Sequence, residues 1–270
     1  MLSCIISCEQ ATYQELAPSR LLISTAEVQA AQGTAHSPHA VNEAWLFIDD
    51  RFAGAFSLPA KIPLLETGEG KTLNIYAGIR DFGIRSRPEI YTLLDPFSLT
   101  TDLEPGKEYG INLLFKYKND LIVHVHDGFE SGNPFAADLD DNKQHHIARS
   151  GLQALEGQYS GHIVLNAANP VLEAGTSFFR LNASSYLEMS FRSSIDFNIG
   201  IQLTQPGTSL KDFFLLLKAS AEWKTVYIPF REILDRYSGE TFQVILRAEH
   251  PASAGKSFIY LDLIKILSQP

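Results

Sequence analysis

Three carboxylates stand near the two ends of the segment that runs from residue 127 to residue 266. Asp127 and Glu130 lie in the run Asp-Gly-Phe-Glu-Ser-Gly at its start, and Asp262 lies in Tyr-Leu-Asp-Leu-Ile at its end. Hydrolysis of a glycosidic bond requires a pair of carboxylates. No motif singles out such a pair, and the sequence has no Gly-x-Ser-x-Gly elbow for a nucleophilic serine. The sequence therefore predicts a protein that is not an enzyme, with a glycoside-active enzyme as the catalytic alternative.

Polar side chains on three alternating segments predict a binding face. In residues 195–203 the odd positions are apolar and the even positions are polar or glycine, as in a strand with one buried face. Residues 187–192 and 242–249 alternate in the same way. If these strands are neighbours, their outward side chains form one face, which we predict to bind a ligand: Arg192, Asn198, Gln202, Gln243 and Arg247. The alternative is an ordinary solvated face, because any half-buried sheet produces such a row.

Composition excludes one large class of function. The chain carries a formal net charge of -9, from Asp+Glu 31 against Lys+Arg 22, and no run of basic residues interrupts this excess. Nucleic-acid binding is therefore not expected, because phosphate recognition needs a basic surface. Aromatic residues make up 11% of the chain, which also has Gly 18 and Pro 13 and no long stretch of helical period. These features predict an all-β protein.

The first part of the chain predicts a small β-sandwich. A chain of 270 residues has room for two domains. Short strand-like segments separated by turn residues favour a sandwich, of Ig-like or transthyretin-like type, over residues 20–119. The predicted strands are 21–28, 44–48, 72–76 and 109–115, and the predicted turns are 49–54, 66–70 and 104–107.

The second part of the chain predicts a β-jelly roll over residues 120–270. It contains a further series of strand-like segments, and only residues 231–237 suggest a helical turn. Residues 118–120 form a very short spacer between the two sandwiches. A spacer of this length predicts that the two domains pack closely together.

The N-terminal residues 1–19 suggest a membrane anchor and a tether. Both cysteines, Cys4 and Cys8, lie here, so the predicted domains contain neither a disulfide nor a cysteine zinc site. The run Ile-Ile-Ser-Cys ending at Cys8 resembles the lipobox of bacterial lipoproteins, which implies lipidation of Cys8. No basic residue precedes Cys8, and the alternative is an ordinary apolar leader into the first strand. No later segment reaches the roughly 18 apolar residues of a membrane span, so attachment to a membrane is expected through Cys8.

The N-terminal sandwich resembles a group of surface lipoproteins. Its features are Trp-Leu-Phe-Ile-Asp-Asp at 45–50, Gly-Ala-Phe-Ser-Leu-Pro-Ala at 54–60, Gly-Ile-Arg-Asp-Phe-Gly-Ile at 78–84 and Leu-Glu-Pro-Gly at 103–106. In this order they look like uncharacterised lipoproteins of Bacteroidetes-type bacteria. The resemblance implies a cell-envelope location, as an outer-membrane lipoprotein, and carries no known activity.

The C-terminal sandwich resembles the jelly-roll, galactose-binding-like carbohydrate-binding modules. The features that carry the resemblance are Asp-Gly-Phe-Glu at 127–130, Leu-Glu-Gly-Gln-Tyr-Ser-Gly at 155–161, Trp-Lys-Thr-Val-Tyr-Ile-Pro-Phe at 223–230 and the strand around Asp262. Many such modules hold a structural calcium through acids of the first and last strands. The resemblance implies calcium ligands at Glu130 and Asp262 with Asp127 nearby, and calcium takes about 6–8 oxygen ligands.

Aromatic residues bear on the kind of ligand. Carbohydrate platforms usually need exposed rings, and the only tryptophans are Trp45 and Trp223, of which the family resemblance places Trp223 in the core. Tyr186 and Tyr237 are the other candidates, with a structural role as the alternative. The expectation is a non-catalytic envelope lipoprotein whose jelly roll binds a glycan or a protein partner. The alternative is a structural subunit of an outer-membrane protein assembly that binds no sugar.

Overall fold

The computed structural model describes residues 17–29, 39–142, 146–205, 208–237, 241–252 and 255–270. In these ranges every regular element is a β-strand except one short helix. The predicted all-β class, with two β-sandwiches in sequence, is confirmed.

The first sandwich consists of two sheets formed by nine strands. The strands are β1 (Ser19–Val28), β2 (Glu43–Ile48), β3 (Arg51–Ser57), β4 (Ala60–Leu64), β5 (Gly68–Arg80), β6 (Pro88–Ile90), β7 (Leu94–Asp95), β8 (Phe97–Leu103) and β9 (Glu108–Tyr117). One sheet has the order β4-β1-β9-β7, and the other has the order β3-β2-β5-β6, with β8 also paired to β5. Between them Leu21, Leu46, Ile75 and Phe115 are fully or almost fully buried.

Two of the predicted turns show how the backbone reverses in this sandwich. Asp49 and Asp50 both have positive φ angles, 47° and 61°, and they alone connect β2 to β3. The predicted loop 49–54 is therefore too long, because short acidic residues already supply the left-handed conformation that a two-residue hairpin needs. At the other turn, Gly106 has a φ of 74° directly after Pro105, as predicted for the turn between β8 and β9.

The second sandwich consists of eleven strands and the helix. These are β10 (Ile122–Asp127), β11 (Ala137–Asp138), β12 (Ala148–Ser150), β13 (Ser160–Leu165), β14 (Val171–Phe179), β15 (Tyr186–Ser193), β16 (Phe197–Gln205), β17 (Thr208–Leu217), β18 (Ser220–Pro229), α1 (Arg231–Leu234), β19 (Phe242–Glu249) and β20 (Ser257–Ser268). Sheet I has the order β12-β13-β20-β15-β18, with β10 also paired to β20. Sheet II has the order β11-β14-β19-β16-β17.

Strand alternation places the core of this sandwich as the sequence predicts. On β16, Phe197, Ile199, Ile201 and Leu203 are all 0% exposed. Leu187, Met189 and Phe191 of β15 meet them from the opposite sheet in the same hydrophobic cluster. The two inner faces therefore form one continuous core.

The outer face of sheet I is largely covered, which the sequence did not predict. The alternation of residues 187–192 gives Glu188 and Ser190 the same outward phase as Arg192, so a solvated position is expected for both, yet they are 4% and 0% exposed. The first sandwich covers Glu188, whose carboxylate accepts hydrogen bonds from Tyr91 and Tyr117. The segment 151–158 lies next to Ser190. Asp262, the cross-strand partner of Ser190, accepts a hydrogen bond from the backbone N–H of Leu155 in this segment.

The two sandwiches share a packed junction. Tyr186, Tyr227 and Leu267 of the second sandwich belong to the hydrophobic cluster of the first. Around them the backbone N–H of Phe82 donates to the carbonyl of Tyr227 at 2.8 Å. This close packing agrees with the very short spacer, whereas the domain boundary at residues 119 and 120 stays a prediction.

Candidate functional site

Four of the five predicted face residues lie together on sheet II. Asn198 is the cross-strand partner of Arg247, and Gln202 is the partner of Gln243. Arg192 lies on β15 in sheet I, on the other side of the sandwich core. The expectation that Arg192 shares their face is therefore wrong, because the chain passes from sheet I to sheet II between β15 and β16.

The charged groups on this face neutralise one another. The carboxylate of Glu173, whose residue is 6% exposed, accepts hydrogen bonds from Lys211 and from Nη1 of Arg247, the latter at 3.1 Å. Arg247 also pairs with Glu249 at 2.7 Å, and its pKa is raised chiefly by that hydrogen bond. The side-chain amide of Asn198 makes no hydrogen bond with any described residue, so its N–H and C=O groups are left for solvent or a ligand.

The two glutamines of the face differ in burial: Gln243 is buried and Gln202 is partly buried. Gln243 is 3% exposed and donates through Nε2 to the Thr176 carbonyl, while Gln202 donates to Ser209 at 3.0 Å. Both Oε1 atoms are buried and have no hydrogen-bond donor among the described residues. A Cβ on Gly175 would lie 2.7 Å from Gln243 Nε2, which shows how closely the side chain is enclosed. Gln243 also contributes to the lining of a pocket of about 570 Å³, together with Phe178 and Phe179.

The predicted calcium ligands Glu130 and Asp262 are engaged by backbone amides. Oε1 of Glu130 accepts the N–H groups of Gln158 and Tyr159 at 2.7 and 2.8 Å. Oδ2 of Asp262 accepts from Leu155 at 2.8 Å and from Glu156 at 3.2 Å, and Oδ1 accepts from Leu263 at 2.7 Å. Burial raises the pKa of Asp262 to about 6. These carboxylates hold the segment 151–158 against sheet I.

The third predicted ligand, Asp127, does not complete a metal site with them. Its Oδ2 accepts a hydrogen bond from Ser131 at 2.9 Å, and its Oδ1 is buried without a donor among the described residues. Within the described part of the chain, no group of three or more His, Cys, Asp or Glu side chains is placed to hold a metal ion. N–H groups already engage Oε1 of Glu130 and both oxygens of Asp262. These contacts do not test the expected calcium, and they hold the segment 151–158 in place without an ion.

The outer face of sheet I carries a pocket that the sequence did not predict, which we call the ring pocket. It has a volume of about 510 Å³. Its lining includes two aromatic side chains, one guanidinium, one amide and three serines: Phe258, Tyr260, Arg192, Gln153, Ser193, Ser194 and Ser220. It combines apolar rings with hydrogen-bonding groups, as ligand sites do.

The rings of this pocket are ordered by the sheet. The imidazole of His162 lies parallel to the Tyr260 ring, with 4.6 Å between centroids and 3° between planes, and it also stacks near Phe258. His162 and Arg192 are the cross-strand partners of Tyr260 on its two sides. His162 therefore covers one face of the Tyr260 ring, and Tyr260 and Arg192 both line the pocket. Burial lowers the pKa of His162, so its ring is uncharged at neutral pH.

Arg192 brings a positive charge to this pocket without an acidic partner. Its Nη1 donates to Oε1 of Gln153 at 2.7 Å, and it makes no ion pair with any described residue. Asp196 lies two residues beyond the pocket residue Ser194, but it pairs with Lys218 at 2.7 Å and accepts the N–H of Ala219 at 2.9 Å. The charge of Arg192 is therefore available to a ligand.

The aromatic residues singled out in the sequence lie elsewhere. Tyr186 is buried at the junction against Tyr91, with 5.0 Å between ring centroids, and Tyr237 donates to Oδ2 of Asp212 at 2.8 Å. Trp223, expected in the core, is only partly buried and lines a pocket of about 490 Å³ together with Leu155 and residues of the first sandwich. Alternation along β20 could have predicted that Tyr260 lies on the outer face of the sheet, because its neighbours Ile259 and Leu261 are apolar and buried.

A second set of rings lies on the outer face of the first sandwich. Phe47 contacts Phe52 and Tyr76, each with 5.3 Å between centroids, and Trp45 contacts Phe52 at 5.6 Å. Phe52 is 56% exposed. We call these four residues the aromatic patch.

Membrane and lipid features are only partly within the described residues. No helix in the described ranges is long and apolar enough to cross a membrane. Cys8, the predicted lipidation site, lies outside the described residues, as does Cys4.

Comparison with known proteins gives similarities at the level of solved structures alone. No protein-family model and no curated protein matches the chain. A family 61 carbohydrate-binding module in complex with β-1,4-galactotriose is 15% identical, with a TM-score of 0.37 over 53% of this chain and 95% of that one. A family 30 carbohydrate-binding module of a Clostridium thermocellum cellulosomal cellulase is 13% identical, with a TM-score of 0.40 over 53% and 96%. A β-1,2-glucanase from Parabacteroides distasonis is 17% identical, with a TM-score of 0.34 over 52% and 25%. Likeness at this level identifies neither a ligand nor an activity for this chain.

Proposed function

We propose that the second sandwich is a non-catalytic module that binds a glycan in the ring pocket. The observation that carries the proposal is the pocket in which the Tyr260 ring lies together with Arg192 and Gln153. A sugar ring has an apolar face that packs on an aromatic ring and a polar edge that needs hydrogen-bond partners. The volume of about 510 Å³ lies within the range of roughly 300–1,000 Å³ typical of small-molecule sites.

The composition of the pocket supports binding rather than hydrolysis. Glycosidases use two carboxyl groups placed about 5–9.5 Å apart on either side of the bond that breaks. Among the described residues that line the ring pocket none is Asp or Glu. The pocket thus offers recognition groups without an acid and base pair.

A glycan array probed with the full chain, followed by calorimetry on any glycan that binds, tests the proposal. Tyr260→Ala should weaken binding roughly tenfold or more, because it removes the stacking face, whereas Tyr260→Phe should bind almost normally. Phe52→Ala, in the aromatic patch, is the matched control and should leave glycan affinity unchanged. An empty array, or affinity that survives Tyr260→Ala intact, would contradict the proposal.

We propose that the protein is held at the cell envelope, at the outer membrane, by a lipid on Cys8. The lipobox-like run before Cys8 supports this location. Cys8→Ala should move the protein from the membrane fraction to the soluble fraction, while Cys4→Ala should not. Equal membrane association of both variants would exclude a lipid anchor at Cys8.

The aromatic patch favours a second function, as a structural subunit of an envelope protein assembly. Rings as exposed as Phe52, next to Trp45 and Phe47, are common in protein interfaces. In this case a stable envelope partner should co-purify with the native protein, and Phe52→Asp should abolish co-purification. Loss of the partner in Tyr260→Ala instead would place the contact at the ring pocket.

A further inference from the structure

Arg192 has no acidic partner among the described residues, as is also true of Arg85, Arg149 and Arg180, and of these four it is the one that lines the ring pocket. Arg247 in the same sandwich is held by Glu173 and Glu249, and Arg231 is held by Asp81 at 2.7 Å. In a chain with Asp+Glu 31 and Lys+Arg 22, acids are available in excess. An arginine that lines a pocket with only an amide as partner is therefore suited to a negative charge supplied by the ligand.

The position of this charge relative to the ring defines the ligand further. Arg192 and Tyr260 are cross-strand partners, and such residues hold their Cβ atoms about 4.5–5.5 Å apart. A pyranose stacked on Tyr260 directs its ring substituents outward in its own plane, toward the neighbouring guanidinium. The guanidinium is a rigid fork that matches a carboxylate, and charged hydrogen bonds of this kind are roughly twice as strong as neutral ones.

We infer that the ring pocket is selective for acidic sugars, in which a pyranose stacks on Tyr260 and its carboxylate pairs with Arg192. Glycans that contain uronic acids have this chemistry. The inference rests on the proposed function, since it names the class of glycan that the same pocket takes. Gln153 orients the guanidinium through Nη1 and leaves its other N–H groups to the ligand.

The test compares matched ligands on the full chain. Oligosaccharides that contain uronic acids are measured by calorimetry beside the same oligosaccharides after chemical reduction of their carboxyl groups. The acidic form should bind about tenfold more tightly or better. Arg192→Gln should remove this difference, and Arg192→Lys should keep part of it because the charge remains.

Lys218→Gln is the control for general electrostatics, because Lys218 is an exposed cation next to the pocket residue Ala219. It should leave the preference for acidic glycans intact. Equal affinity for the two forms, or a preference that survives Arg192→Gln, overturns the inference. If neutral glycans bind through Tyr260 without any acidic preference, the selectivity is refuted and the proposed function stands. If no glycan of either form binds, both are refuted.

Discussion

Lys265 and Glu188 form a buried ion pair where the two sandwiches meet, with 3.3 Å between Nζ and Oε2. They are cross-strand partners in sheet I, and they are 6% and 4% exposed. Two hydroxyls from the first sandwich complete the network: Tyr117 donates to Glu188 at 2.8 Å and accepts from Lys265 at 2.9 Å, and Tyr91 also donates to Glu188. Burial, reinforced by the charge of Glu188, raises the pKa of Tyr91 far above its usual range. The network is satisfied only when the two sandwiches hold this relative orientation.

Lys265→Met should strongly destabilise the protein. It leaves the carboxylate of Glu188 buried without its cation, and breaking such a pair typically costs about 3–5 kcal/mol. Urea unfolding followed by circular dichroism gives the free energy of unfolding that checks this. Lys107→Met, which breaks an exposed pair with Glu104, should change the free energy of unfolding far less, because solvent screens an exposed pair.

The double variant Glu188→Gln with Lys265→Met separates charge from packing. Glutamine keeps an oxygen that accepts from Tyr91 and Tyr117, and it has no charge to leave unpaired. The double variant should therefore be more stable than Lys265→Met alone. Equal destabilisation of the two would show that the loss comes from packing rather than from an uncompensated charge.

Strand order explains what the sequence predicted well and what it did not. Alternation is a local property, so the core residues of β15 and β16 were predicted correctly. Which sheet a strand joins depends on contacts distant in sequence, so the placement of Arg192 beside Asn198 was wrong. The burial of Glu188 on a nominally solvated face has the same cause, because the cover comes from the other sandwich.

The ring pocket was missed because its parts are ordinary in the sequence. Tyr260 lies in an apolar strand, and His162 and Arg192 lie on two other strands distant in sequence, which only the β13-β20-β15 order brings to its two sides. Asp127 and Glu130, by contrast, were singled out correctly as residues with a local role, because both lie in the recognisable motif Asp-Gly-Phe-Glu. Their hydrogen bonds to the backbone of segment 151–158 depend on a loop conformation that residue type alone does not define.

Asp262 should make stability depend on pH between about 4 and 6. Burial raises its pKa from 3.8 to about 6 in the folded state. The folded protein therefore keeps the proton in a range where the unfolded chain loses it, and this group stabilises the fold less as pH rises through that window. The full effect is about 3 kcal/mol above pH 6. Asp262→Asn has no such titration, so its stability relative to the native protein should improve between pH 4 and pH 7 in urea unfolding.

Asp196→Asn is the matched control for this titration. The pKa of Asp196 is lowered, chiefly by its hydrogen bond with Lys218, and the carboxylate is on the surface. Its titration lies below about pH 4 in both the folded and the unfolded state, so its substitution should leave relative stability nearly constant between pH 4 and pH 7. If Asp262→Asn shows the same relative stability at both pH values, the carboxyl of Asp262 does not have a raised pKa.

Gly200→Ala should destabilise sheet II. A Cβ at this position would lie 2.4 Å from the carbonyl oxygen of Asp212 and 2.9 Å from the Phe213 ring. Because the first contact is with backbone, β16 and β17 must separate, and overpacking of this kind costs about 1–3 kcal/mol. Gly110→Ala is the control, since nothing lies within 4 Å of its Cβ position. Comparable melting temperatures of the two variants would contradict the close approach of β16 and β17.

Removal of calcium should leave the melting temperature unchanged. A structural ion that binds only the folded state raises the melting temperature in proportion to its binding free energy, so a chelator would lower it. In the described residues, the backbone N–H groups of Gln158 and Leu155 donate to the carboxylates of Glu130 and Asp262. These hydrogen bonds hold the segment 151–158 in place without an ion. Melting curves with EGTA and with millimolar calcium check this. A calcium-dependent rise that is lost in Asp127→Asn would show that the buried Oδ1 of Asp127 belongs to an ion site, and that the amides do not fix this segment alone.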